Sequence, residues 1–218
     1  MAPTLGCSLP LLSAVLVLSC WCGLSGAARP APSDVVGAGG NGSFVSAWCA
    51  GTEYPALCNA TLSPYAAAVG ASPARLAWAA LNVTLDSARG ARAAMKGMAA
   101  DGHLAPVAAE AAGDCASMLG DAVGMLRQSV EAMEEAVAEE EGQAAQQTRR
   151  MVRFRVDSVR TWASAALTDG DMCIEGFRGE AAGSGGVREA VRGNVVGLLH
   201  LSANALGILN AMANQTPP

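Results

Sequence analysis

Few residues in this 218-residue chain are equipped for chemistry, and its cysteines are the most informative of them. Cys7, Cys20 and Cys22 lie in an apolar N-terminal run; Cys49, Cys58, Cys115 and Cys173 lie beyond it. An even set of four after a secretory segment is the pattern of two disulfides formed in an oxidising compartment. These cysteines are therefore expected to act as staples, not as a reactive site. Four cysteines allow three connectivities; proximity along the chain favours Cys49–Cys58 and Cys115–Cys173. In the chain-entropy account the short loop stabilises by roughly 2.5–3 kcal/mol and the long one by roughly 4 kcal/mol.

Other candidates for chemistry are weak. His103 and His200 are the two histidines, and neither has a partner at ligand spacing. His103 falls in a turn, and His200 falls off the apolar stripe of its segment. No metalloprotease, nucleophile-elbow or phosphate-cradling motif is present, and Gly183-Ser184-Gly185-Gly186 is a loop with no strand before it. Asp169, Asp171 and Glu175 lack the spacing and terminal glutamate of a calcium loop, so helix termination accounts for them. Glu131, Glu134, Glu135, Glu139, Glu140 and Glu141 form an acidic run. It is a solvated face first and a partner contact second. Paired carboxylates for hydrolysis need a concave, rigid site, which a narrow bundle lined with Ala and Leu does not offer. No enzyme, metal or cofactor is expected.

The elements that position these residues follow from composition and periodicity. Leu9 to Trp21 is mostly apolar and Ser25-Gly26-Ala27 supplies small residues for cleavage, so residues 1–28 are expected to be a signal peptide. Its removal takes Cys7, Cys20 and Cys22 away and leaves about 190 residues, enough for one domain with a real core. Four glycosylation sequons agree with secretion, at Asn41, Asn59, Asn82 and Asn214. A net charge of −5 argues against a nucleic-acid partner. No second apolar stretch is expected to span a bilayer.

Residues 29–43, rich in Pro and Gly, form an expected flexible leader. Short helical pieces broken by Pro55 and Pro64 fill 44–68, with Cys49 and Cys58 flanking the first break. Four longer segments then carry a 3–4 apolar rhythm. The first opens at Ser72-Pro73, an N-cap with proline at the first helical position. Its stripe is Ala74, Trp78, Leu81, Leu85, Ala88 and Met95, interrupted by Arg92, and it stops at Asp101-Gly102. The second runs from about 105 to 141, with Leu119, Val123, Leu126, Val130, Met133 and Val137 in step. The third covers about 145–167 and ends at Thr168-Asp169-Gly170-Asp171. The fourth runs from about 186 to 213 through Val187, Val191, Asn194, Leu198, Leu201, Ala205, Ile208 and Met212. Between Ser72 and Ala213 no stretch of useful length alternates like a strand. The expected fold is all-α: an up-down-up-down four-helix bundle carrying an N-terminal helical hairpin. Antiparallel neighbours would bring Cys115 and Cys173 to one end of the bundle; parallel ones would hold them far apart.

Several blocks together resemble the plant invertase/pectin methylesterase inhibitor family. They are Phe44-Val-Ser-Ala-Trp-Cys49, Tyr54-Pro-Ala-Leu-Cys58 and Leu62-Ser-Pro-Tyr-Ala66, then Asp121-Ala-Val123 after Cys115, and Val159-Arg-Thr-Trp-Ala-Ser-Ala-Ala-Leu167 before Cys173. The resemblance covers residues 44–213, which it implies are an inhibitor domain (hairpin 44–68, bundle 72–213) followed by a tail, 214–218. It implies one disulfide in the hairpin and one between the second and third bundle helices. It also implies a secreted, apoplastic cell-wall protein without catalysis that binds pectin methylesterase one to one and covers its pectin-binding cleft. Tyr54-Pro-Ala-Leu-Cys58 and Ser63-Pro-Tyr-Ala66 look more like the methylesterase branch. The Pro-Lys-Phe element of invertase inhibitors is absent, since the single lysine is Lys96 between Met95 and Gly97. Acid invertase is thus the alternative target, and a secreted helical ligand-binding or structural module is the alternative of a different class. Glu131, Glu134 and Arg153 are the candidate contact residues. Intact-mass mapping of native secreted protein should find no free thiol at Cys115 or Cys173; free thiols there would remove the scaffold.

Overall fold

The computed structural model describes residues 41–141, 145–183 and 186–215. The segment expected to be a signal peptide and most of the expected leader, together with the end of the expected tail, lie outside the described residues. All regular structure among the described residues is helical. Two short helices, α1 (Asn41–Cys49) and α2 (Pro55–Leu62), form the hairpin; a 3₁₀ turn at Ser63–Tyr65 and the one-turn α3 (Ala66–Val69) follow. Four long helices make the bundle: α4 (Pro73–Ala100), α5 (Pro106–Glu141), α6 (Ala145–Glu175) and α7 (Val187–Gln215). Helix α4 packs on α5 and α7, and α6 packs on the same two, which is the up-down-up-down square.

Local chemistry explains the boundaries. Pro55 and Pro73 each occupy a first helical turn, where a missing N–H costs nothing. Ser72 has extended dihedrals and accepts from the Arg75 N–H at 3.2 Å, capping α4 as its sequence predicts. Gly70, at φ +59°, makes the turn before it. Helix α1 begins at Asn41, inside the span expected to be leader, because burial of Val45, Trp48 and Cys49 carries the preceding turn into the helix.

Two boundaries differ from expectation in ways that matter. Helix α6 does not stop at Thr168–Asp171 but continues to Glu175. The Thr168 hydroxyl folds back onto the Ser164 carbonyl at 3.1 Å, so it does not compete for the helix end. Gly170 is buried where a Cβ would stand 2.8 Å from Leu199 Cδ2. Its missing side chain lets α6 run close against α7, and the extra turns bury Cys173, Ile174 and then Phe177. Helix α7 is also long and apolar enough to cross a membrane by length and composition, with a mean hydropathy of 1.5. That departs from the expectation of no second such stretch. It is a core helix instead: Val191, Val195, Leu198, Ala205, Ile208 and Leu209 are buried against α4 and α6. Asn194, expected on that stripe, is exposed, and Val195 takes the inward place.

The bundle seam combines small and large residues. Leu76, Leu81, Leu119, Leu126, Leu198 and Ile208 are fully buried, each worth roughly 1.5–3 kcal/mol. Ala77, Ala79, Ala88, Ala112, Ala122, Ala136, Ala163 and Ala166 pave the spaces between them. The Cys49–Cys58 disulfide closes the hairpin and Cys115–Cys173 ties α5 to α6, with Cα–Cα distances of 5.5 and 4.6 Å. Cys115 lies near the start of α5 and Cys173 in the last turn of α6, so antiparallel packing brings them together.

The hairpin sits on one face of α7 formed by His200, Asn204 and Gly207, spaced four and three residues apart. Asn204 accepts from the Tyr54 N–H at 2.9 Å and donates to the Tyr54 carbonyl at 3.0 Å. His200 stacks on the Tyr54 ring with centroids 4.0 Å apart. A Cβ at Gly207 would lie 3.3 Å from Thr52 Cγ2 and 3.4 Å from its Cα, so any larger residue would press on the Thr52 segment. The face that looked idle in sequence is the hairpin's seat. Asn204→Ala should destabilise the protein by roughly 2–3 kcal/mol, because it strands two backbone groups at once. Hydrogen exchange should then accelerate across residues 44–65 while amides in the middle of α5 keep their protection.

Candidate functional site

The hairpin packs on α4 and α7, which leaves α5 and α6 as the bundle helices it covers least. Near the end where these two helices connect, the charges separate. The last part of α5 holds the acidic run, and the first part of α6 holds Arg149, Arg150, Arg153 and Arg155. Arg155 joins the halves. Its guanidinium bonds Glu135, and Glu139 at 2.9 Å. The hydrogen bond to Glu139 lifts the Arg155 pKa further above its ordinary value, against the lowering effect of burial. That pair is internal bracing.

The expected contact residues are distributed over this surface. Glu131 is exposed on α5 and Arg153 is exposed on α6. Glu134 is exposed too, but it faces α4, where its carboxylate accepts from the Trp78 indole N–H at 3.1 Å. Beside that bond lies a groove of about 250 Å³ between the hairpin and the bundle, lined by Tyr65, Val69, Arg75, Trp78, Glu134 and Val137 among others. Sequence reasoning anticipated little cavity. The groove exists because α3 is too short to cover Trp78. The acidic run is likewise not purely solvated: besides Arg155 and Trp78, the Ser72 hydroxyl donates to Glu140 at 2.5 Å.

The remaining candidates are scattered. His103 is exposed, 3.9 Å from Asp101, and His200 belongs to the hairpin seat. No group of three or more His, Cys, Asp or Glu residues is placed to hold a metal ion among the described residues. Glu175 pairs with Arg178 and lies 3.9 Å from Arg188, away from any cluster with Asp169. Among the sequons, Asn59 donates to the Pro55 carbonyl and accepts from Ser46, next to the hairpin disulfide. Asn82 donates to the Trp78 carbonyl, and its sequon's Thr84 is fully buried. Asn214 is exposed near the end of α7, and Asn41 is the first residue of α1. Sequence reasoning missed Phe154 altogether. It is the most exposed large apolar side chain among the described residues, at 67%, and it falls out of step with Val152, Val156, Val159, Ala163 and Ala166, a signal available in the sequence.

Residues 43–208 match the model of the plant invertase/pectin methylesterase inhibitor family. The chain belongs to this family. A 21 kDa protein of Daucus carota is 31% identical over 203 residues, spanning 93% of this chain and 96% of that protein. Pectinesterase inhibitor 11 of Arabidopsis thaliana is 30% identical over 172 residues, 79% of this chain and 81% of the relative. Pectinesterase inhibitor 10 of the same plant is 31% identical over 171 residues, and the chain spans about half of its length. A crystal structure of a mutant form of a pectin methylesterase inhibitor from Arabidopsis superposes with a TM-score of 0.56 at 21% identity, covering 78% of this chain and 94% of that one. Another, of a pectin methylesterase inhibitor from Arabidopsis thaliana, gives 0.51 at 20% identity, with 81% and 97% covered. These two likenesses establish the shared helical fold. Membership makes the chain an inhibitor-family protein and not a catalyst, so its polar residues are read for binding and packing.

In this inhibitor scaffold one carboxylate is out of balance. Asp169 on α6 faces Asp121 on α5, and its Oδ2 is buried without a hydrogen-bond partner among the described residues. Burial first, and the Asp121 charge second, raise its pKa above the ordinary 3.8. A carboxyl group whose pKa rises on folding binds protons more readily in the folded state, so its contribution to stability falls as pH rises from below 3.8 through the raised value. Asp169→Asn should therefore raise Tm at pH 7, by about 2 °C for a gain near 1 kcal/mol. The gain should shrink and vanish as thermal melts are repeated well below pH 3.8, where aspartate is protonated in the folded and unfolded states alike.

Proposed function

We propose that this chain is a secreted inhibitor of pectin methylesterase that binds the enzyme one to one and covers its pectin-binding cleft by steric means. The observation carrying the reading is the alignment with a pectinesterase inhibitor over 79% of the chain, within a family match that takes in hairpin and bundle together. The physical form supports it. A bundle tied by a disulfide and braced by Arg155 loses little conformational freedom on binding, which is what a steric plug needs. Glu131, Glu134 and Arg153 stand as contact residues on or beside the α5–α6 face. Secretion into the cell wall, cleavage after residue 27 or 28, and glycosylation at any sequon belong to the same proposal.

The family description also names invertase. Lys96 is exposed on α4, between Met95 and Gly97 within an unbroken helix, and offers no Pro-Lys-Phe element. That weighs for the esterase. Titration of the mature protein into purified pectin methylesterase should abolish activity with an end point at one equivalent, and the same titration into acid invertase should leave activity unchanged. Methylesterase activity that stays constant under excess protein across pH 5–7 would overturn the proposal for that enzyme.

A further inference from the structure

The outward ridge of α6 carries a cluster that neither the core nor the helix itself explains. Phe154 is 67% exposed and Met151, three residues before it, 43% exposed. Arg150 lies one turn before Phe154 on the same ridge and Arg153 directly precedes it; both are exposed, with no ion pair or hydrogen bond among the described residues. Their neighbours differ. Arg155 is held by Glu135 and Glu139, and Arg160 by Asp157 and Asn210. Cations in the first third of a helix gain nothing from its macrodipole, which favours anions there. Single exposed apolar residues are ordinary. A phenylalanine and a methionine beside two uncommitted arginines have the composition of an interface core, where aromatic residues, Met and Arg are enriched.

We infer that Phe154, supported by Met151 and flanked by Arg150 and Arg153, is the anchor by which this chain grips its esterase, and that the matching enzyme surface is an apolar pocket with an acidic rim. This rests on the proposed function. Charge complementarity fixes the rim: two cations desolvated beside a ring must meet carboxylates, or binding would leave them buried and unpaired. A polyanion fits less well, because Glu131 and Glu135 stand exposed on the neighbouring helix and the chain carries a net charge of −5. A second copy fits less well too. A two-fold contact of the ridge with itself would set Arg150 and Arg153 against their own copies, and a head-to-tail contact with the groove beside Trp78 would not close.

The test uses the mature protein, pectin methylesterase and three variants: Phe154→Ala, Arg150→Glu/Arg153→Glu, and Arg89→Ala on α4 as a control far from the ridge. Phe154→Ala should weaken inhibition at least about tenfold with Tm unchanged, since so exposed a ring loses little burial. The double charge reversal should slow association and reverse its salt dependence. Arg89→Ala should inhibit like the wild type. If the wild type inhibits and Phe154→Ala inhibits equally well, the anchor is wrong and the proposed function stands. If the wild type does not inhibit, both fall. Loss of self-association in sedimentation, or of retention on polygalacturonate, with inhibition intact in Phe154→Ala would also overturn the anchor, in favour of a second copy or an acidic polysaccharide.

Discussion

Close approach of four helices is the constraint on which everything else in this molecule rests. It is met by alanines at the seams and by Gly170, where α6 presses on α7. Leucines and methionines then fill the remaining volume, with Leu81 and Met95 from α4 and Leu119, Leu126 and Met133 from α5 all fully buried. A seam of large residues alone would hold the helices farther apart. The 4.6 Å between the Cα atoms of Cys115 and Cys173 exists only because α5 and α6 already lie this close and antiparallel. The disulfide thus locks a geometry that packing creates.

The same closeness divides the labour among the helices. Helix α7 spends one side on the core and another on the hairpin, through His200, Asn204 and Gly207. The clip at Asn204 imitates a backbone partner for Tyr54, which suits a segment too short to satisfy its own polar groups. Helices α5 and α6 are free of that duty on their outer sides. Their charge is sorted into an acidic and a basic end, braced where Arg155 crosses between them. The rigidity of this face comes from the seam, the disulfide and that brace.

Much of this was legible from residue order. The four cysteines, the Ser72-Pro73 start of α4 and the apolar stripes of α4 and α5 stand in the structure where periodicity put them. The misreadings share a physical cause. Thr168–Asp171 carries every local signal of a helix end, yet burial of Cys173, Ile174 and Phe177 outweighs propensity and carries α6 onward. Asn194 keeps the period of its stripe and still points out, because Val195 fills the core there. His200 lies off the stripe in sequence and meets Tyr54 only because the hairpin folds back across α7, 146 residues further along the chain than its aromatic partner.

Sequence by itself determined the helical class, the number of long helices and the four residues to be cross-linked, since each depends on local period, capping or cysteine count. It also carried the family, through blocks that are mostly scaffold. Tertiary structure decided which face of each helix is spent on packing and which is left exposed. That choice depends on how closely particular side chains allow two helices to approach, and distances of that kind arise only when all four are in place.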